Sequence, residues 1–176
     1  PCFELASGGE KVQVWYDLMV EDEGKERSSV SVEGIENGDW VIVTGELKTA
    51  GEHRSLNDFW ASNIEKAVSS DKSSDDSEVK VPLGKALAVN LDSNPSTGFS
   101  WRMIGNSNES VLQVVGNEFV IAETIDTPPM LGTGGTEVWI FRAQKEGVSK
   151  ISMEYIRPWE EGVEPADTFE LTVFVE

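Results

Sequence analysis

The sequence predicts an all-β protein with two domains, the second of them an antiparallel β-sandwich. Apolar residues recur with a period of two, the spacing that places side chains on one face of a strand, as at Leu87, Val89 and Leu91. Short apolar runs are separated by turn residues, and none shows the period of an amphipathic helix. A polar run over residues 69–77 divides the two β-rich regions.

The chain is strongly acidic, and this excludes several classes of partner. Its 176 residues include 14 basic and 32 acidic side chains, which give a formal net charge of −18. Such a surface repels phosphate backbones and anionic lipid, so we expect no nucleic-acid partner. No apolar run approaches the ~18 residues of a membrane-spanning helix, so we expect no membrane span. The acidity favours solubility, and we expect a monomer that is secreted or lies in the cell envelope.

Residues 1–68 are predicted to form a small β domain. Extended runs are expected around 12–16, 40–43 and 59–64. The order of a Gly-Asp-Trp-Val-Ile-Val-Thr-Gly-Glu-Leu run and a later Phe-Trp-Ala-Ser-Asn-Ile-Glu run resembles the last strands of an OB-fold barrel. OB folds often bind nucleic acids or sugars through the face of strands 2 and 3, and such a site would need exposed aromatic side chains. The local acidity and the strand alternation favour the alternative, that the tryptophans are core residues: Trp15, Trp40 and Trp60.

The polar run over residues 69–77 reads Ser-Ser-Asp-Lys-Ser-Ser-Asp-Asp-Ser and contains no apolar side chain. A stretch of this composition buries too little surface to offset its ordering entropy. It therefore predicts a flexible linker between a domain at 1–68 and a domain at 78–176.

The second region, residues 78–176, is predicted to be the sandwich. Its alternating runs amount to about seven short strands in roughly 100 residues, which is typical of an immunoglobulin-like fold. The inner faces of two sheets hold such a sandwich together, so it needs no disulfide. Six of these runs lie at 87–91, 99–103, 111–123, 136–143, 151–155 and 169–175.

Three segments between these strands have unusual compositions. Residues 94–98 read Asn-Pro-Ser-Thr-Gly, in which the proline fixes one φ angle and Gly98 can take a positive φ as the chain turns back. Residues 131–137 read Leu-Gly-Thr-Gly-Gly-Thr-Glu and run into a strand. Residues 155–159 read Tyr-Ile-Arg-Pro-Trp and end one. Each segment by itself is compatible with an ordinary connection.

Taken together, the three segments resemble the chagasin-like inhibitors of papain-family cysteine peptidases. In that family an Asn-Pro-x-Thr-Gly loop, a Gly-x-Gly-Gly loop and an Arg-Pro-Trp loop occur in this order. Ser96 stands where the family often has threonine, a change that keeps the hydroxyl. The resemblance covers residues 78–176 and implies an immunoglobulin-like fold.

The resemblance also implies a function, the reversible blocking of a papain-like peptidase cleft by three loops at one end of the sandwich. The loop 94–98 would enter the cleft, the glycine-rich segment would run along one side, and the Arg-Pro-Trp loop would cover the other. The implied peptidase-binding residues are Asn94, Pro95, Ser96, Thr97, Gly98, Met130, Leu131, Gly132, Thr133, Gly134, Gly135, Arg157, Pro158 and Trp159, with Pro129 as a further main-chain contact.

An enzyme is not expected, because the sequence lacks the residues for catalysis. Cys2 is the only cysteine and His53 the only histidine, and His53 lies in a polar loop. We therefore predict no catalytic residue, no metal site and no cofactor. The glycine run precedes a strand rather than a helix and so does not predict a dinucleotide site. The alternative function is a non-catalytic immunoglobulin-like adhesion or assembly module of a secreted protein.

Overall fold

A computed structural model describes residues 2–7, 10–16, 30–48, 58–121 and 132–176. The chain divides into two compact units, residues 1–67 and 68–176. The described residues contain twelve strands: β1 (Cys2–Ser7), β2 (Glu10–Trp15), β3 (Val41–Lys48), β4 (Asp58–Lys66), β5 (Val68–Asp71), β6 (Ser77–Val81), β7 (Ala86–Ser93), β8 (Ser100–Asn106), β9 (Leu112–Ile121), β10 (Gly135–Ala143), β11 (Gly147–Ile156) and β12 (Asp167–Val175). Two short 3-10 helices lie at Lys72–Ser74 and Pro95–Thr97. None of the helices in this part of the chain has the length and hydropathy to cross a bilayer.

The first unit is a four-stranded sheet with the strand order β1-β2-β4-β3. Its small core is formed by Val14, Ala61 and Ile64, against which Val43 and Phe59 pack. A bulge between Thr44 and Gly45 on β3 has room only for glycine, because a Cβ at Gly45 would overlap the Trp60 carbonyl oxygen.

The predicted OB-like barrel is not found among the described residues of this unit. They form an open sheet, with β1 and β3 at opposite edges. The reason is the parallel pairing of β2 with β4, which places the two hairpin partners β1 and β3 on the outside of the sheet. The described part of this unit is all-β as predicted. Its three tryptophans are partly buried: Trp15, Trp40 and Trp60.

The second unit is a sandwich of two four-stranded sheets, β5-β7-β10-β9 and β6-β12-β11-β8. The alternation predicted from the sequence sets the inner faces, and burial of each large apolar side chain contributes about 1.5–3 kcal/mol. Antiparallel pairing dominates, while β5 pairs with β7 and β6 pairs with β12 in parallel. The buried core is formed by Val81, Leu87, Val89, Leu91, Trp101, Val111, Leu112, Phe141, Ala143, Ile151, Met153, Phe169, Leu171, Val173 and Val175.

The stretch predicted as a flexible linker, residues 69–77, is part of the sandwich instead. Its first residues lie in β5, which pairs with β7, and its last residue begins β6. The turn between them is held by polar contacts: Asp71 Oδ1 accepts a hydrogen bond from the Ser73 N–H at 2.9 Å, and Lys72 Nζ lies 2.6 Å from Asp75 Oδ2. Main-chain pairing and side-chain hydrogen bonds replace the apolar burial that the composition lacks, which is why composition alone misled the prediction.

Strand register brings three connections to one end of the sandwich. Ser93 at the end of β7 pairs with Gly135 at the start of β10, and Gly135 also pairs with Ile121 at the end of β9. In the other sheet, Ser100 at the start of β8 pairs with Ile156 at the end of β11. The β7–β8, β9–β10 and β11–β12 connections therefore leave from the same end.

Because β5 pairs with β7, we expect the second unit to begin at residue 68 rather than at residue 78. We expect a piece with residues 68–176 to melt at least about 5 °C above a piece with residues 78–176, because the shorter piece lacks β5 and leaves one edge of β7 unpaired. Thermal melts followed by circular dichroism measure this difference, with a piece starting at residue 72 as the control that removes only β5. Equal melting temperatures for the pieces starting at 68 and 78 would contradict the boundary.

The charged turn between β5 and β6 should make the stability of the second unit depend on pH. Burial raises the pKa of Asp75, but the hydrogen bonds from Lys72 and from the Glu170 N–H outweigh it and leave that pKa below 3.8. Because the pKa is depressed in the folded state, the carboxylate stabilises the fold above pH 3.8, and this contribution is lost as the pH falls through the folded pKa.

We therefore expect Asp75→Asn to lower the melting temperature at about pH 6 and to melt like the parent chain at about pH 2. The exposed Glu109→Gln is the charge-matched control and should melt like the parent at about pH 6. A constant difference between Asp75→Asn and the parent at every pH would contradict the role assigned to the Asp75 charge.

Candidate functional site

The loop between β7 and β8 is a tight turn fixed by its own polar groups. Asn94 Oδ1 accepts hydrogen bonds from the Ser96 N–H at 3.2 Å and from the Ser96 hydroxyl at 2.6 Å. The Thr97 hydroxyl donates to the Asn94 carbonyl at 2.6 Å. The Gly98 N–H donates to the Pro95 carbonyl at 2.9 Å, and Gly98 has the positive φ, 82°, that the sequence predicts. The turn is thus an exposed tip whose two hydroxyl groups are used to hold its shape.

Arg157 joins this turn to the connection between β11 and β12. Its Nε donates to the Thr97 carbonyl at 3.1 Å, and its guanidinium lies 4.3 Å from the centre of the Phe99 ring. Its Nη1 also pairs with Glu160 Oε1 at 3.0 Å. Because the guanidinium fork is planar and has several donors, one side chain fixes both its own loop and the neighbouring turn.

Trp159 lies directly against Gly98. A Cβ at Gly98 would overlap Cη2 of the Trp159 ring, so the indole occupies the space that any other residue would need. Trp159 nonetheless remains 66% exposed. An exposed indole packed against a glycine of the turn is a rigid apolar group that a partner could contact.

The glycine-rich segment lies on the other side of the turn. Asn94 Nδ2 donates to the Gly132 carbonyl at 3.2 Å. A Cβ at Gly134 would lie 3.3 Å from the Ser93 carbonyl oxygen, and a Cβ at Gly135 would overlap the Val120 carbonyl oxygen. Main chain thus approaches main chain closely here, and the approach excludes a side chain at Gly135 and leaves little room for one at Gly134.

An aromatic cluster under the turn was not predicted as part of the site. The Tyr155 hydroxyl accepts a hydrogen bond from the Asn94 N–H at 2.8 Å. Its ring lies 5.2 Å from the centre of Phe99 and 5.1 Å from that of Trp101. Period-two alternation from Ile151 and Met153 predicts that Tyr155 lies on the inner face, but it does not indicate the bond to Asn94.

The structure thus brings together residues from all three segments that the sequence singled out. Met130 and Leu131, with Pro129, lie outside the described residues. Beside the turn is a shallow open groove of about 610 Å³, lined by Asp92, Ser93, Asn94, Thr133, Gly134, Gly135, Thr136 and Tyr155.

The groups gathered here suit recognition rather than catalysis. The turn and its two flanking segments carry amides, hydroxyls, a guanidinium and an indole, and no cysteine or histidine that could serve as a nucleophile or its base lies among their described residues. Among the described residues, no cluster of histidine, cysteine and acidic side chains could hold a metal ion. The side chain of Cys2 and the whole of His53 lie outside the described residues, so the structure does not test whether these two residues could form a catalytic pair.

Residues 80–173, more than half of the chain, match a family described as Chagasin family peptidase inhibitor I42. The chain belongs to this chagasin family. Chagasin from Trypanosoma cruzi is 32% identical over 81 residues, which is 45% of this chain and 71% of chagasin. The family match over residues 80–173 includes all three segments at the end of the sandwich.

Solved structures of two other proteins share the fold of the second unit. The cysteine protease inhibitor EhICP2 from Entamoeba histolytica has a TM-score of 0.55 and 20% identity, over 62% of this chain and 96% of that protein. Amebosin has a TM-score of 0.52 and 25% identity, over 62% of this chain and 98% of that protein. The second unit therefore shares its fold with these two proteins and is immunoglobulin-like, as the sequence predicts.

Membership of the chagasin family makes this chain a peptidase inhibitor and not an enzyme. It also decides between the two functions left open by the sequence. A family of inhibitors that matches residues 80–173 supports inhibition and gives no support to the adhesion or assembly module.

The contact between Gly98 and Trp159 gives a test with an internal control. Gly98 and Gly84 have almost the same φ, 82° and 80°, but a Cβ at Gly84 meets nothing within 4 Å. We expect Gly84→Ala to cost about 1–2 kcal/mol through backbone strain. Gly98→Ala should cost more, because it must also displace the Trp159 ring.

Denaturant unfolding measures both costs, and the indole N–H resonance of Trp159 in a ¹H–¹⁵N spectrum reports the displacement. The indole resonance should shift in Gly98→Ala and keep its chemical shift in Gly84→Ala. Equal unfolding free energies for the two variants, with an unchanged indole resonance, would show that the ring does not pack on Gly98.

Proposed function

We propose that this chain inhibits papain-like cysteine peptidases reversibly, by filling the active-site cleft with the turn at residues 94–98. The segment at 130–135 lies along one side of the cleft and the loop at 157–159 covers the other. No covalent bond forms, and no cofactor or metal takes part. The inhibitor acts as a monomer.

One observation carries this proposal: three segments far apart in sequence meet at one end of the sandwich. The Asn94 side chain donates to the Gly132 carbonyl, and the Arg157 side chain donates to the Thr97 carbonyl. The central turn is therefore fixed from both sides. A pre-ordered surface of this kind avoids much of the entropy that a flexible loop loses on binding.

The turn is also shaped to resist cleavage. A peptidase needs an extended backbone at the scissile bond, with the carbonyl free to enter the oxyanion hole. Here the Thr97 N–H is bonded to the Asn94 carbonyl at 3.0 Å, and the Thr97 carbonyl is bonded to Arg157. Residues 95–97 are wound into a 3-10 turn rather than extended. The backbone at the tip therefore offers the nucleophile a poor substrate geometry.

The two flanking segments supply contact area of different kinds. The glycine-rich side has no bulky side chains at residues 134–135, so its main chain can approach the cleft wall closely. The other side presents the exposed Trp159, whose ring packs against Gly98. Tryptophan and arginine are the residues that most often dominate binding energy at interfaces.

An inhibition panel tests the proposal. The full chain is titrated against papain and other papain-like peptidases with a small fluorogenic substrate, and against trypsin as a serine-peptidase control. We expect tight inhibition of the papain-like enzymes, none of trypsin, full recovery of activity after dilution, and intact inhibitor by mass spectrometry. Absence of inhibition across the papain-like panel would overturn the proposal.

Trp159→Ala tests the side contact. If the indole is a buried anchor in the complex, its loss should cost about 2 kcal/mol or more, a rise in the inhibition constant of about 30-fold. Leu83→Ala is the matched control, since Leu83 is also an exposed apolar residue, 49% exposed, but lies before the start of β7, at the opposite end of the sandwich. It should inhibit like the parent chain. An unchanged inhibition constant for folded Trp159→Ala would remove this loop from the site.

A further inference from the structure

Glu137 is a buried carboxylate beneath the inhibitory turn. It is the third residue of β10, only 6% exposed, and lies on the strand face that carries Phe141 into the core. Its partners are neutral groups. The Ser93 hydroxyl donates to Oε1 at 2.6 Å, and the Trp101 N–H donates to Oε1 at 3.2 Å and to Oε2 at 3.1 Å.

These two partners stand at the two ends of the turn. Ser93 is the last residue of β7 in one sheet, and Trp101 is the second residue of β8 in the other sheet. The chain between them crosses from sheet to sheet and carries the residues of the tip. One carboxylate on β10 therefore fixes both the point where the chain leaves the first sheet and the point where it enters the second.

A second bond supports the same crossing. The Trp101 indole Nε1 donates to the Asp92 carbonyl at 2.9 Å, which ties the end of β7 to the start of β8 directly. The Glu137 bonds and this indole bond together span the base of the turn. The contacts from Arg157 and Asn94 hold its tip.

Stability alone does not account for a charge at this position. Burying a carboxylate is costly, and an apolar residue of similar volume in a core is often neutral or more stabilising. Hydrogen bonds from two neutral donors offset part of that cost, and the charge makes them stronger than bonds between neutral groups. The desolvation cost of this carboxylate is therefore paired with a position at the base of the 94–98 turn, where its hydrogen bonds hold both ends of the turn.

We propose that Glu137 is a positioning residue for inhibition: its carboxylate holds the ends of the 94–98 turn in the geometry that enters the peptidase cleft. The inference rests on the proposed function. Glu137 does not itself touch the peptidase. It raises the fraction of free inhibitor in which the turn is ready to bind, and a smaller fraction would lower the apparent affinity in proportion.

This role has a kinetic signature that a contact residue lacks. Loosening the turn in the free inhibitor lowers the population competent to bind, so association slows. The contacts in the complex are unchanged, so dissociation stays near that of the parent chain. Loss of a contact residue has the opposite effect, faster dissociation with nearly unchanged association.

The experiment uses the full chain and papain, with Glu137→Gln and Ser93→Ala as variants. Glu137→Gln keeps the size of the side chain but loses the charge, and Ser93→Ala removes one donor to the carboxylate. Ser149→Ala is the control: Ser149 is fully buried, and its hydroxyl bonds to Asn106 Oδ1 at 2.6 Å near the start of β11, away from the site. Stopped-flow measurements give association and dissociation rate constants, and thermal melts show that each variant is folded.

We expect Glu137→Gln to slow association about tenfold and Ser93→Ala about threefold, with dissociation within about twofold of the parent. Ser149→Ala should keep both rate constants even where it lowers the melting temperature as much. Unchanged association for folded Glu137→Gln, or equal slowing in Ser149→Ala, would overturn the positioning role while leaving the inhibition by the parent intact.

Amide hydrogen exchange in the free chain tests the same inference without the peptidase. The Thr97 and Gly98 N–H groups are bonded within the turn. We expect them to exchange about tenfold faster in Glu137→Gln and at the parent rate in Ser149→Ala. Unchanged exchange would overturn the inference even where the parent inhibits. Faster exchange with no inhibition by the parent would instead overturn the proposed function alone.

Discussion

The crossing of the chain from one sheet to the other between Ser93 and Trp101 is the feature on which the candidate site depends. The two sheets are separate hydrogen-bonded layers, so their strand pairing does not fix how a loop spans them. Side chains must do this. The carboxylate of Glu137, the indole of Trp101 and the phenol of Tyr155 each bond to the chain at or beside the crossing.

A turn held in this way can be short, exposed and still ordered. Its tip makes bonds within itself through Asn94, and it is flanked by Gly132 on one side and Arg157 on the other. Each of these bonds contributes only about 1 kcal/mol net. Their combined effect is to remove alternative conformations, which matters for an inhibitor because ordering a loop on binding subtracts from affinity.

Glycine is used in the site where two chain segments approach more closely than a side chain allows. At Gly98 both the left-handed backbone and the Trp159 ring exclude a Cβ. At Gly135 the neighbouring carbonyl of Val120 excludes it. The glycine-rich composition therefore reflects close packing at 98 and 135 as much as flexibility. Because Gly98 has no side chain, the Trp159 ring can pack against it while most of the ring remains exposed.

The sequence by itself determined the all-β class, the six strands β7 to β12 with their inner faces, and the three loop segments, because period-two alternation and turn composition are local properties. It could not determine that residues 69–77 add a strand and a turn to the sandwich, because the partners of that stretch are main-chain groups of β7 and side chains distant in sequence. Nor did it show the OB-like first region to be an open sheet among its described residues, since the parallel pairing of β2 with β4 is a long-range choice. Only the tertiary structure placed Glu137 and Tyr155 beneath the turn, because a single acidic or aromatic residue in a strand carries no local sign of the loop it holds.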